Sequence, residues 1–170
     1  MLQTDRLLLR PYTLEDYNPY LAMCSDEEVV RYLGGQVLSP EDAWNRVLRY
    51  AGHWSLLGYG VFAVFELATK KYIGETGICD FHRGLGRSFD QAGEAAWVFS
   101  RQSRGRGFAF EAANAAHNWF YQLKGESRTV CLIHPENQSS FRLADKLGYR
   151  EFGKATYKDS SVVMLERCPD

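Results

Sequence analysis

The sequence predicts an α/β fold, in which helices flank a mixed, mostly antiparallel sheet within one domain spanning residues 1–170. Apolar residues alternate in short segments typical of strands, and they recur at helical spacing in longer segments between them. Hairpin-like pairs of strands also stand beside strand–helix–strand crossovers, which require antiparallel and parallel pairing in one sheet. A chain of 170 residues is long enough to give such a domain a substantial core.

One strand and three helices are expected before residue 60. Pro11 ends the strand, because proline cannot donate a hydrogen bond to a neighbouring strand. Thr13, Ser25 and Ser39 are helix-capping residue types, and Ser39 precedes a proline at the first helical position. The strand is predicted at residues 6–10, and the helices at residues 14–24, 26–33 and 40–57.

Strands predominate after residue 60. Residues 60–66 and 72–79 are expected to form a hairpin that turns at Thr69 and Lys70. The sheet is expected to contain about 6–7 strands in all. The remaining strands are predicted at residues 94–100, 129–133, 149–156 and 161–166, with helices at 108–120 and 137–147, a polar loop at 83–91 and a last turn near Lys158.

Charge and cysteine usage limit the possible functions. The net charge is −1, so the chain lacks the basic excess with which nucleic-acid-binding proteins displace counterions. It has no apolar run long enough to span a bilayer, and no basic-then-apolar start typical of a secretory signal. Because four scattered cysteines show no metal-ligand spacing, we expect reduced thiols, no metal and a cytoplasmic location.

The most informative motif lies at residues 102–107, between a predicted strand and a predicted helix. The first N–H groups of a helix have no intrahelical acceptor, and the helix dipole adds a partial positive charge there. Gly105 and Gly107 leave this backbone uncovered, and Arg104 and Arg106 add formal charge. The motif therefore predicts a binding site for a pyrophosphate.

Two other nucleotide-binding motifs fit this loop less well. A triphosphate-binding Walker loop requires a Gly-Lys-Ser/Thr sequence, which the chain lacks, so a purine-nucleotide-binding domain is disfavoured. The dinucleotide fingerprint requires glycine at position 110, where Phe110 stands. An ordinary tight turn followed by a helix cap is the alternative that involves no ligand.

Four segments, in order and in register, together give the chain a family resemblance. It resembles the GNAT superfamily of N-acetyltransferases and, more narrowly, the RimJ/RimL-like branch. The segments are Thr4 to Arg10 with the pattern T-x-R-L-x-L-R, Ile73 to Gly77 with I-G-x-x-G, Gln102 to Gly107 with Q-x-x-G-x-G, and Asn137 to Tyr149 with N-x-x-S and a final G-Y.

The resemblance implies that acetyl-CoA is the acyl donor. In this family the strand before the phosphate loop and the next strand splay apart, and the pantetheine arm of the coenzyme enters the gap. Backbone groups of Trp97, Val98 and Phe99 would then pair with the arm, and Asn137 would hold it. The pyrophosphate would be bound by the loop residues Gln102, Ser103, Arg104, Gly105, Arg106, Gly107 and Phe108.

The implied reaction is direct transfer of an acetyl group from a thioester to a primary amine. The departing thiolate requires a hydrogen-bond donor. Many relatives place a tyrosine at the position of Ala144, so the resemblance to RimL points to Ser140 instead. The plain alternatives are an exposed first-turn serine for Ser140 and a helix N-cap for Asn137.

The proton of the attacking amine requires an acceptor. Glu94 and Glu75 are the candidate bases, because a carboxylate half-buried among apolar neighbours has a raised pKa. Water can serve instead, and both carboxylates can be structural partners of arginines such as Arg101. Glu111 is expected to be structural, and the four histidines are expected on the surface or in loops.

The sequence is compatible with more than one acceptor and with more than one state of assembly. A protein N-terminal α-amine and a small-molecule amine both fit, as do a monomer and a homodimer. A non-catalytic acyl-CoA-binding module is the alternative function, which Ala144 favours and Ser140 disfavours. The acceptor site is expected between the first helices and the 83–91 loop, which offer Tyr32, Trp44, Trp54, Tyr59, His82 and Arg83.

Overall fold

Eight strands form one sheet in the computed structural model, which describes residues 1–125 and 127–168. Their order across the sheet is β1-β2-β3-β4-β5-β6-β8-β7. The strands are β1 (Leu2–Gln3), β2 (Leu7–Pro11), β3 (Val61–Glu66), β4 (Tyr72–Cys79), β5 (Gly93–Phe99), β6 (Thr129–Ile133), β7 (Arg150–Tyr157) and β8 (Ser160–Arg167).

Helices cover both faces of the sheet. Ser39 accepts a hydrogen bond from the Asp42 N–H at 3.0 Å, which caps the third helix as its sequence predicts. Gly58 ends that helix in a left-handed conformation at φ 74°. The helices are α1 (Tyr17–Cys24), α2 (Glu27–Val30), α3 (Pro40–Leu57), α4 (Arg87–Asp90), α5 (Phe108–Lys124) and α6 (Gln138–Lys146).

The pairing of β5 with β6 is the irregular part of the sheet. It is the one parallel pairing among the described strands, and it comprises Gly93 with Thr129 and Glu94 with Val130. β6 meanwhile pairs with β8 along its whole length, and β5 pairs with β4 as far as Phe99. β5 and β6 therefore diverge after Glu94 and open a gap in the middle of the sheet, as the family resemblance implies.

Two core layers hold the sheet between the helices. On one face, Tyr20 of α1 and Val47 of α3 pack against Val61 and Ala63. On the other face, α5 packs against β2, β3 and β4, and α6 joins it beside β6 and β8. The helical layers thus place the start of α3 and the starts of α5 and α6 on opposite faces of the sheet.

Several predicted bounds require correction. The two-residue β1 was not predicted, because its pairing with Leu8 and Leu9 is supplied by the tertiary structure. The first helix begins as a 3-10 turn at Leu14–Asp16, the second is shorter than predicted, and α5 extends to Lys124. The 83–91 loop contains α4, where the Asp90 carboxylate accepts the N–H groups of Gly84 and Gly86 at 3.1 and 2.8 Å.

Within the described residues, the structure contains no helix whose length and apolar character would suffice to cross a bilayer.

Candidate active site

The loop between β5 and α5 presents a row of backbone donors. A 3-10 turn at Arg101–Ser103 leads into Gly105 at φ 74° and Gly107 at φ 79°, a left-handed region that favours glycine. The first N–H bonded within the helix is that of Glu111, to the Gly107 carbonyl at 3.1 Å. The N–H groups of residues 105–110 have no acceptor among the described residues. This row of donors can bind a diphosphate.

The N-terminal segment holds this loop in place. The Arg6 side chain donates to the Arg106 carbonyl at 2.9 Å and to the Glu111 carboxylate at 2.7 Å. The Thr4 hydroxyl donates to the other oxygen of Glu111 at 2.6 Å. Glu111 is therefore structural, as predicted. The sequence motif at Thr4 and Arg6 contributes to the family resemblance, but it does not predict this contact with a loop a hundred residues away.

The two loop arginines have different environments. Arg106 forms an ion pair with Glu66, and this pair lowers the pKa of the Glu66 carboxyl. The charge that Arg106 adds to the loop is therefore largely compensated within the protein. Arg104 donates to the Glu28 carbonyl at 3.0 Å and so connects the loop to α2. Arg101 lies 3.8 Å from Asp26 rather than beside Glu75 or Glu94.

Ser140 and Trp97 meet across the gap between β5 and β6. The Trp97 indole N–H donates to the Ser140 hydroxyl oxygen at 3.1 Å. Asn137 is the N-cap of α6, since its side-chain oxygen accepts the Ser140 N–H at 3.2 Å and the Ser139 hydroxyl at 2.8 Å. The capping interpretation of Asn137 is confirmed, and the cap places Ser140 at the edge of the gap.

Glu94 lies where β5 and β6 begin to diverge. Arg83 donates three hydrogen bonds to the Glu94 carboxylate, at 2.6, 2.8 and 3.1 Å, and a fourth to the Tyr157 hydroxyl at 2.9 Å. Burial raises the pKa of the Glu94 carboxyl, and the Arg83 guanidinium opposes this shift. Oε2 takes a single contact from Arg83, so it retains a lone pair for a further donor.

Glu75 is enclosed by tyrosines. Its two oxygens accept the Tyr12 hydroxyl at 2.6 Å and the Tyr50 hydroxyl at 2.9 Å, and Tyr12 contacts Tyr72 at 2.8 Å. Burial raises the pKa of the Glu75 carboxyl, against these hydrogen bonds. Glu75 pairs with Val98 in the sheet and Glu94 with Cys79, so both carboxylates share a face but stand about 13 Å apart along the strands.

The expected acceptor residues separate in the structure. Trp54 packs against Phe62, with ring centroids 4.7 Å apart, and Tyr59 packs against Phe120, so both are partly buried against the core beside α5. Trp44 contacts Tyr17 on the outer side of α3. Arg83 and Tyr32 lie near the gap. The ring of Tyr32 is 5.2 Å from the ring of His134, which follows the end of β6.

His117 is a correction to the prediction that the histidines lie at the surface or in loops. It is buried in α5, where Nδ1 lies 2.7 Å from the Ala113 carbonyl and Nε2 2.8 Å from the Tyr149 hydroxyl. Burial lowers the pKa of His117 to about 4. The Tyr149 hydroxyl also meets the Thr129 hydroxyl at 2.8 Å, so this chain of hydrogen bonds reaches the start of the gap.

A family model for the acetyltransferase (GNAT) domain matches residues 6–150, and the chain therefore belongs to the GNAT acetyltransferase family. The chain is 27% identical over 164 residues to YnaD of Bacillus subtilis (strain 168), an uncharacterized N-acetyltransferase, covering 89% of this chain and 84% of YnaD.

Solved structures agree with this fold. A protein of Bordetella pertussis assigned to the GnaT acetyltransferase family is 32% identical, with a TM-score of 0.87 and 98% coverage of both chains. The spermidine N-acetyltransferase of Vibrio cholerae, solved with CoA and spermine, has a TM-score of 0.75 at 17% identity and covers 97% of this chain and 96% of its own. The second likeness bears on the fold alone.

Proposed function

We propose that this protein is an acetyl-CoA-dependent N-acetyltransferase of the RimJ/RimL-like branch, with the whole chain acting as one transferase domain. The acetyl group would pass to a primary amine by direct attack in a ternary complex. The observation that supports this most is the row of unbonded N–H groups at residues 105–110, beside the gap between β5 and β6. Because Cys24, Cys79 and Cys131 are buried free thiols, we further propose a cytoplasmic location.

The residues fit the coenzyme in two places. The donors of the β5–α5 loop suit the diphosphate, and Arg101 and Arg104 in the same stretch of chain are exposed cations that can contact a phosphate. Beyond Glu94, the edge of β5 that faces β6 has no ladder partner among the described residues. Trp97, Val98 and Phe99 can therefore pair with an amide-containing arm as an added strand would. The spermidine N-acetyltransferase of Vibrio cholerae, which shares this fold, was solved with CoA bound.

Ser140 is the proposed proton or hydrogen-bond donor to the departing thiolate. Its hydroxyl proton has no acceptor among the described residues, and its oxygen borders the gap through the Trp97 contact. A thiolate leaving from the gap would gain that hydrogen bond as its charge develops. Ala144 offers no donor of its own.

Glu94 is the proposed acceptor for the amine proton, with Glu75 as the second carboxylate and water as the third route. Glu94 is favoured because it stands where the gap begins and because burial raises the pKa of its carboxyl, as suits a proton acceptor. Glu75 stands nearer the phosphate-binding end, opposite Val98, and both of its oxygens accept tyrosine hydroxyls.

Two measurements test the proposal in sequence. Thermal shift with acetyl-CoA, CoA and ATP tests the ligand class, and we expect stabilisation by both CoA compounds. Stabilisation by ATP alone would overturn the CoA assignment. Release of free CoA is then followed with a panel of N-terminal peptides and small amines. Binding of CoA without release of it by any amine would indicate a non-catalytic acyl-CoA-binding module instead.

A further inference from the structure

The side chain of Trp97 contacts the proposed hydrogen-bond donor Ser140. Its indole N–H donates to the hydroxyl of Ser140 in α6 across the gap between β5 and β6, at 3.1 Å. An indole N–H is a donor only, whereas a serine hydroxyl offers one proton and two lone pairs. Trp97 therefore occupies one lone pair of Ser140 and leaves the hydroxyl proton available.

The rest of Ser140 is held independently of Trp97. Its backbone N–H donates to the Asn137 side chain at 3.2 Å, and that same amide oxygen also accepts the Ser139 hydroxyl. Because the Asn137 oxygen already accepts two hydrogen bonds, the indole of Trp97 orients the Ser140 hydroxyl, and the helix cap does not. A hydroxyl that accepts one hydrogen bond also becomes a better donor in the next.

The Trp97 side chain also packs against a buried cluster. Its ring lies 6.3 Å from the ring of Tyr149, in the buried cluster between α5 and α6. The Tyr149 hydroxyl is fixed at 2.8 Å from both His117 and Thr129. Thr129 is also one of the β6 residues still paired with β5. The indole is thus held by the same buried network that ends at the opening of the gap.

We propose that Trp97 is a positioning residue: its indole N–H orients the Ser140 hydroxyl so that the proton is presented to the gap where the thioester sulfur would lie. This inference rests on the proposed function. It assigns the side chain of Trp97 a task separate from the pairing of its backbone with the coenzyme.

The first test compares two tryptophans that each donate one indole hydrogen bond. Trp97→Phe removes the contact to Ser140, whereas Trp54→Phe removes a contact of 2.9 Å to the Val61 carbonyl in the core. Loss of one such hydrogen bond should lower kcat of Trp97→Phe by about 2- to 10-fold. KM for acetyl-CoA should stay within about twofold, because the backbone of β5 is unchanged. Trp54→Phe should lower stability without a comparable loss of kcat.

A double-mutant cycle separates positioning from packing. If Trp97 acts through Ser140, Trp97→Phe should cause no further loss of kcat in the Ser140→Ala background. Equal losses in both backgrounds, or an equal loss in Trp54→Phe, would overturn the inference.

A readout without turnover keeps this inference distinct from the proposed function. The chain has four tryptophans, so the indole N–H of Trp97 is one of four resonances and is assigned through Trp97→Phe. Ser140→Ala should shift that resonance, and CoA should shift it in the wild type. An indole insensitive to Ser140→Ala would overturn the positioning role even in an active enzyme. Absence of transfer with a responsive indole would overturn the proposed function alone.

Discussion

Gly105→Val tests the phosphate-binding loop directly. An added side chain at Gly105 meets no heavy atom within 4 Å, so it projects into open space beside the loop. We expect a side chain there to hinder the approach of a diphosphate to the unbonded N–H groups. A hydrogen bond to a charged group contributes about 1.5–3 kcal/mol. Covering two such donors should therefore weaken CoA binding by about 3–6 kcal/mol, a factor of about 10²–10⁴ in Kd.

The variant also carries a cost in stability that must be separated from binding. A non-glycine residue in the left-handed region costs about 1–2 kcal/mol. Gly58 is the matched control, because it has the same φ of 74° and the same open space, but it ends α3. Both valine variants should lower Tm by about 2–8 °C.

Isothermal titration calorimetry with CoA and with pantetheine completes the test. Pantetheine lacks the diphosphate, so Gly105→Val should weaken its binding far less than that of CoA. Gly58→Val should bind both like the wild type. A Kd for CoA that is equal in the two valine variants would refute the assignment of this loop.

Substitutions at the proposed proton-transfer residues have separate signatures. In steady-state kinetics, Ser140→Ala should lower kcat by about 10- to 100-fold with little change in the affinity for acetyl-CoA, and an unchanged kcat would remove Ser140 from the mechanism. Glu94→Gln should lower kcat/KM about 100-fold near neutrality and abolish the fall in rate as pH drops through the raised pKa of Glu94. If Glu75→Gln abolishes that acidic limb instead, Glu75 is the base. Burial lowers the pKa of His117 from 6.5 to about 4. The neutral histidine therefore contributes fully to the free energy of unfolding above pH 6.5, and this contribution is lost as the pH falls toward 4. At about 1.4 kcal/mol per pH unit, the loss is about 3 kcal/mol. Urea unfolding should show a smaller acid loss in His117→Gln, and an equal loss would contradict the buried neutral histidine.

Local sequence determined the parts of this protein that depend on neighbours in the chain. The start of α3 follows from Ser39 and Pro40, and the donor row follows from two left-handed glycines just before a helix. Each of these features is built within a few residues, because turns, caps and unbonded N–H groups are set by adjacent backbone angles. The backbone conformation of residues 105–110 therefore follows largely from adjacent residues, and the binding of a phosphate there stays a prediction.

The tertiary structure alone decided which side chains meet. Arg6 could have paired with any nearby acid, yet the order of the strands brings it to Glu111 and to the loop before α5. Glu94 pairs with Arg83 rather than Arg101, and Trp97 reaches Ser140 only because β5 and β6 separate after two positions. Such contacts join residues far apart in the chain, and their partners depend on strand register and layer order, which periodicity does not encode.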